Sequence, residues 1–242
     1  PLGHEPAQAG ERFLHAEALI ETALVDAVPR VASWRLSGLP QALPSRQVQV
    51  LLAQGAGKAA VTYSGDSTDV PSLVGQACPD LVYPNHEDWG YAQVVLDPKS
   101  LATAGAHLAS VEDVLLRSML GQAQDDGLRD GRLGLADFIE TVLLNTPLEP
   151  DYILLGQALG HVSTARSYLQ IFAQGSPYEQ RTTERMEQML WNGLRASRAD
   201  NDRARRWLGT YIDVASSKGA LANLTGMLAG KIDAGGVEID QD

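Results

Sequence analysis

The sequence predicts an α+β protein, predominantly α, in which a small β-sandwich-like module is followed by an α-helical repeat domain of HEAT-like or solenoid type. Three observations predict it. Short strand-like runs separated by turn clusters fill the stretch from Leu36 to Leu96. After Leu96 apolar residues recur at helical spacing. Helix-start signals, Asp97-Pro98 and Ser176-Pro177, mark that second half. The expected organisation is an N-terminal arm and helix over residues 1–35, a small β domain over 36–97 and a helical domain over 98–242, the last expected to be incomplete at its C-terminus.

Residues 1 to about 12 are rich in Gly, Pro and Ala and read as a loose arm. From Phe13 to Val28, Leu14, Ala18, Leu19, Leu24 and Val25 recur at nearly helical spacing, and Pro29 stops the pattern, so a helix is expected there. Strands are expected at Val48–Leu52, Lys58–Tyr63, Leu81–Tyr83 and Tyr91–Leu96. Gln47-Val48-Gln49-Val50-Leu51 alternates polar and apolar residues, the period of a strand with one wet and one buried face.

In the helical half, Asp97 serves as an N-cap with proline at the first helical position, where a missing N–H costs nothing. Ser176-Pro177-Tyr178-Glu179 repeats the device with a glutamate that can close a capping box, and Ser110 with Asp113 forms a weaker version. Amphipathic segments run through Val111–Met119, Phe138–Leu143, Leu154–Val162, Met186–Leu194 and Leu221–Leu228. About seven helices in stacked hairpins result, without a strict repeat period.

Thirty acidic against 19 basic residues give a net charge of -11, which repels phosphate backbones and anionic membrane surfaces. No nucleic-acid or membrane partner is expected. A single cysteine, Cys78, excludes an internal disulfide framework. No run reaches the roughly 18–20 apolar residues of a membrane helix, and a reducing, cytoplasmic location is expected.

His4-Glu5 and His86-Glu87 each resemble the opening of His-Glu-x-x-His, in which two histidines one helical turn apart bind zinc and the glutamate acts as base. Gln8 and Gly90 occupy the second-ligand positions, so neither completes it. Gly55-Ala56-Gly57-Lys58 lacks the earlier glycine and the following Ser or Thr of a phosphate loop and reads as a hairpin turn. Asp125, Asp126 and Asp130 are interrupted by Leu128 and Arg129, which suits capping and ion pairing better than calcium. Arg195, Arg198, Arg203, Arg205 and Arg206 read as a solvated face paired with Asp200 and Asp202, or as a surface for an acidic neighbour. No catalytic, cofactor-binding or metal-binding residue is assigned to this chain.

Read in order, Tyr63–Gln76, Cys78–Asn85, Asp88–Ala92, Leu96-Asp97, Ser100-Leu101, Leu115–Leu120, Arg129–Leu133, Leu135–Phe138 and Ile239-Asp240-Gln241-Asp242 resemble the aminopeptidase N family of zinc metallopeptidases, especially its bacterial members. The resemblance covers about Arg46 to Asp242. It implies the small β-sandwich and most of the helical domain that follow a thermolysin-like catalytic domain in that family, whose zinc ligands and catalytic base would lie upstream. It further implies a supporting role: the helical domain closes over the catalytic cleft and limits access of peptide substrates. The implied partners are the catalytic domain of the same aminopeptidase and peptide substrate; the implied cofactor is zinc in the parent enzyme and none in this chain. A free-standing helical-repeat module that binds a protein or peptide is the alternative.

Overall fold

The computed structural model describes residues 15–25, 28–37, 46–52, 58–63, 67–75, 77–88 and 93–238. The chain divides into two compact units, Pro1–Leu101 and Ala102–Asp242. The first holds the strands β1 (His15–Val25), β2 (Val28–Ser37), β3 (Arg46–Leu52), β4 (Lys58–Tyr63), β5 (Ser67–Asp69), β6 (Val82–Tyr83) and β7 (Gln93–Val95). They form one sheet in the order β5-β2-β1-β7 and another in the order β4-β3-β6.

Over the described part of Phe13–Val28, where a helix is expected, the chain is strand from His15 to Val25 and again at Val28. β1 pairs antiparallel with β2, from Glu17↔Ser37 to Val25↔Val28, with a shift of register between Glu21 and Thr22. Two periods compete in this stretch. Ala16, Ala18 and Ile20 also alternate with Glu17 and Glu21, interrupted only by Leu19, and cross-strand pairing with β2 selects the strand. Pro29 is tolerated because it lies near the start of β2 opposite Leu24, whereas β5 pairs only with Arg35–Ser37. The first 35 residues therefore contribute two strands to the β unit, which extends past residue 97 to Leu101. Strands β3, β4, β6 and β7 fall within or around the expected strand-like runs, β6 starting one residue later than expected and β7 ending one residue earlier.

The helices are α1 (Pro98–His107), α2 (Val114–Arg129), α3 (Leu135–Asn145), α4 (Tyr152–Ala173), α5 (Pro177–Ala196), α6 (Asn201–Val214) and α7 (Lys218–Leu228). The described residues are thus predominantly helical, as expected. Asp97 starts α1 by accepting hydrogen bonds from the Lys99 and Ser100 backbone amides. Asp113, rather than Ser110, caps α2 through the Leu116 amide, while the Ser110 hydroxyl donates to the His107 carbonyl. Ser176 accepts from Glu179 N–H at 3.0 Å, and the Glu179 carboxylate reaches back to Gly175 N–H at 2.7 Å, one residue before the position a regular capping box would use. Gly131, at φ 71°, ends α2, a left-handed conformation that other residues adopt at a cost.

Consecutive helices pack on one another from α2 to α6, and alternate helices also meet, α2 with α4, α3 with α5 and α4 with α6. Their interior is a continuous apolar stripe: Leu120, Phe138, Ile139, Leu155, Leu169, Met186, Leu190 and Leu194 are each at most 1% exposed. Burial of such side chains stabilises by roughly 1.5–3 kcal/mol apiece. One ion pair lies within this interior: Arg117 of α2 bonds Glu149 before α4 at 2.8 and 3.0 Å.

Candidate functional site

The residues that carried possible chemistry in the sequence are occupied with structure. His86 and Glu87 sit in a short turn where Glu87 has φ 64°, so they do not lie on the regular helix that a two-histidine zinc site requires. His86 is buried and its Nε2 lies 3.7 Å from the Glu87 carboxylate. Asp125 pairs with Arg129 at 2.7 Å, one helical turn along α2, and Asp126 accepts from Gln122. Among the described residues no group of three or more His, Cys, Asp or Glu could hold a metal ion. These residues therefore do not fit zinc. Residues 55–57 and His4 lie outside the described residues; Lys58 opens β4.

Cys78 is half-buried near Lys99, whose ammonium is held at 2.9 Å by Asp80 and donates to the Pro79 carbonyl. The hydrogen bond to Asp80 raises the Lys99 pKa above its ordinary value.

The arginines of α5 and α6 were expected to form a face paired with Asp200 and Asp202. Arg195, Arg198 and Arg205 are exposed as expected of a solvated face, but the partners found are other than Asp200 and Asp202. Arg203 donates to the carbonyls of Glu149 and Pro150, Arg206 lies over the Tyr152 ring at 3.9 Å, Arg195 over Trp191 at 5.6 Å, and Arg198 pairs with Asp233 at 2.9 Å. Asp200 is the N-cap of α6, accepting from Arg203 N–H. Spacing alone could not reveal these partners, because they come from segments up to 54 residues away.

The surfaces left open are grooves. One of about 800 Å³ runs between the end of α3 and α5, with Leu143, Pro147 and Met189 as its apolar wall and Arg181, Gln188 and Asn192 as polar groups. A second, of about 660 Å³, lies between the start of α5 and the start of α7, beside Glu179, Thr183 and Lys218. Amides and a guanidinium beside apolar surface can bind an extended polar chain. Apart from the grooves, the helical unit exposes several large apolar side chains, with Leu148 at 62%, Ile153 at 69%, and Ile171 and Phe172 at 71% each.

Fold and surface define the class first: a domain of packed helices with open grooves, following a β unit in sequence. A family model described as the ERAP1-like C-terminal domain matches residues 81–242, and the chain belongs to that family. The chain is also similar to an aminopeptidase N of Streptomyces lividans, 29% identical over 178 residues, which are 74% of this chain and 20% of that protein. It therefore spans about one-fifth of the length of that relative. No helix among the described residues is long and apolar enough to cross a membrane.

Proposed function

We propose that this chain is the noncatalytic C-terminal portion of a zinc-dependent aminopeptidase that removes N-terminal residues from peptides. In this reading the β strands close into a small sandwich, the helices continue as a HEAT-like solenoid, and the helical domain closes over the catalytic cleft to limit substrate access. The observation that carries it is the family match over residues 81–242, joined to a helical domain with peptide-sized grooves. Zinc and its ligands belong to the catalytic domain of the same protein, which is the proposed partner along with peptide substrate. The proposed location is cytoplasmic.

Ile171 and Phe172, exposed side by side at the C-terminal end of α4, support the docking part of this reading, because adjoining apolar side chains on a surface mark contact sites. The first test is genetic: the reading frame upstream of Pro1 encodes His-Glu-x-x-His. Absence of that segment from this and adjacent genes would overturn the proposal in favour of a free-standing peptide-binding module. The second is biochemical. The purified chain hydrolyses no aminoacyl-anilide and binds no stoichiometric zinc, and clear turnover refutes the noncatalytic assignment.

A further inference from the structure

Where α2, α3 and α4 meet the turn that follows α1, the helical unit holds a partly open cavity with about 30 Å³ of space for water. One water molecule needs roughly 10–15 Å³ measured this way, so the space holds one water or two and nothing larger. Its polar wall consists of Gln124 from α2, Thr141 and Asn145 from α3, His161 from α4, and Thr146 and Glu149 from the turn between α3 and α4.

Two of these groups are already committed. Asn145 accepts from Ala109 N–H at 3.0 Å and donates to the Gly105 and Thr141 carbonyls at 2.7 and 2.9 Å. Glu149 holds Arg117 and accepts from Asp151 N–H at 2.8 Å. Gln124 differs. It is 2% exposed, and neither its amide nitrogen nor its amide oxygen has a protein partner. Buried side-chain amides in folded proteins are nearly always bonded to protein or to ordered water. A glycine keeps the approach open: a Cβ on Gly105 would stand 2.9 Å from Thr141 Oγ1 and 4.0 Å from Gln124 Oε1.

We propose that this cavity is a permanent hydration site, in which one or two waters bridge the Gln124 amide, the Thr141 hydroxyl and the His161 imidazole and tie α2, α3 and α4 together. Water suits the site because the Gln124 amide offers both a donor and an acceptor, and a water molecule answers both. The inference is independent of the aminopeptidase reading.

Gln124→Met keeps the length of the side chain while removing both polar ends. A dry cavity predicts a higher Tm for this variant, because two unpaired groups disappear. A hydrated cavity predicts a lower one, by roughly 2–6 °C, because the bridge is lost. Thr141→Val should shift Tm in the same downward direction. A crystal structure of the unaltered chain, with ordered water within hydrogen-bond distance of Gln124, is the expected result. A dry cavity, Gln124 bonded directly to a protein group, or a rise in Tm on Gln124→Met overturns the proposal. The wild-type crystal structure decides the matter even if a variant does not fold.

Discussion

Removing one partner of the Arg117–Glu149 pair should be among the most damaging single changes in the helical unit. The two side chains are 5% and 7% exposed and meet through two hydrogen bonds, at 2.8 and 3.0 Å. The guanidinium also donates to the Val111 carbonyl, and Glu149 Oε1 accepts from Asp151 N–H at 2.8 Å. Asp151 in turn caps α4 by accepting from the Ile153 and Leu154 amides. Arg117→Met leaves a carboxylate buried without its counter-ion. Glu149→Gln keeps the shape but strands the guanidinium. Each should cost about 3–5 kcal/mol, a large share of the roughly 5–15 kcal/mol that holds a domain folded. For a chain of this size that lowers Tm by about 6–20 °C. The double variant Arg117→Met/Glu149→Met, carrying no buried charge, should recover most of the loss, because desolvating the two ions offsets much of their attraction. Thermal and urea unfolding followed by far-UV circular dichroism measure all three. A loss below about 1 kcal/mol in both single variants would refute the reasoning, since that is how an exposed pair behaves. The internal control is Arg185–Glu140, equally well aligned at 2.6 and 2.8 Å but 52% and 59% exposed, where removal should cost only about 0.2–1 kcal/mol.

Gly193→Ala tests a case where helix propensity and packing predict opposite signs. Propensity favours alanine by about 1 kcal/mol, yet the new Cβ would fall within the Trp207 indole, which is 2% exposed, so a net loss of about 1–3 kcal/mol with altered tryptophan fluorescence is expected. Unchanged or increased stability would contradict that packing. Burial lowers the His161 pKa below 6.5, helped by Arg129 and opposed by Asp125 and Asp126. The unfolded chain therefore takes up a proton at this residue first as pH falls. The contribution of His161 is fully present above pH 6.5 and declines from there toward its folded value, a slope that His161→Gln should remove from the stability profile. Ser176→Ala should cost about 1 kcal/mol by removing the cap of α5, and Ser176→Asp should restore most of it. Equal stability of the alanine and aspartate variants would show that the cap contributes nothing.

Local signals were legible where a single residue type satisfies a nearby backbone group. Asp97 and Ser176 start helices as their spacing indicates, the period of two placed β3, and a strand-like run between turn clusters placed β4. Competing signals were not. Ser110 and Asp113 both suit an N-cap, and the entry geometry of α2 decides for Asp113. Leu14–Val25 carries both helical and strand periods, and only the existence of β2 as a pairing partner selects the strand. The open grooves could not be foreseen, because they depend on which helix faces meet.

By itself the sequence determined a β-rich stretch from Leu36 to Leu96, a helical second part, the absence of His-Glu-x-x-His from these 242 residues and a resemblance to the aminopeptidase N family. These depend on periodicity and on motifs that are local in the chain. Tertiary structure alone decided that Arg117 lies buried against Glu149, that Arg203 and Arg206 fasten α6 to the start of α4, and that Gln124 is enclosed in a cavity without a protein partner. Each outcome depends on desolvation and on partners tens of residues apart. Neither is encoded in the spacing of neighbouring residues.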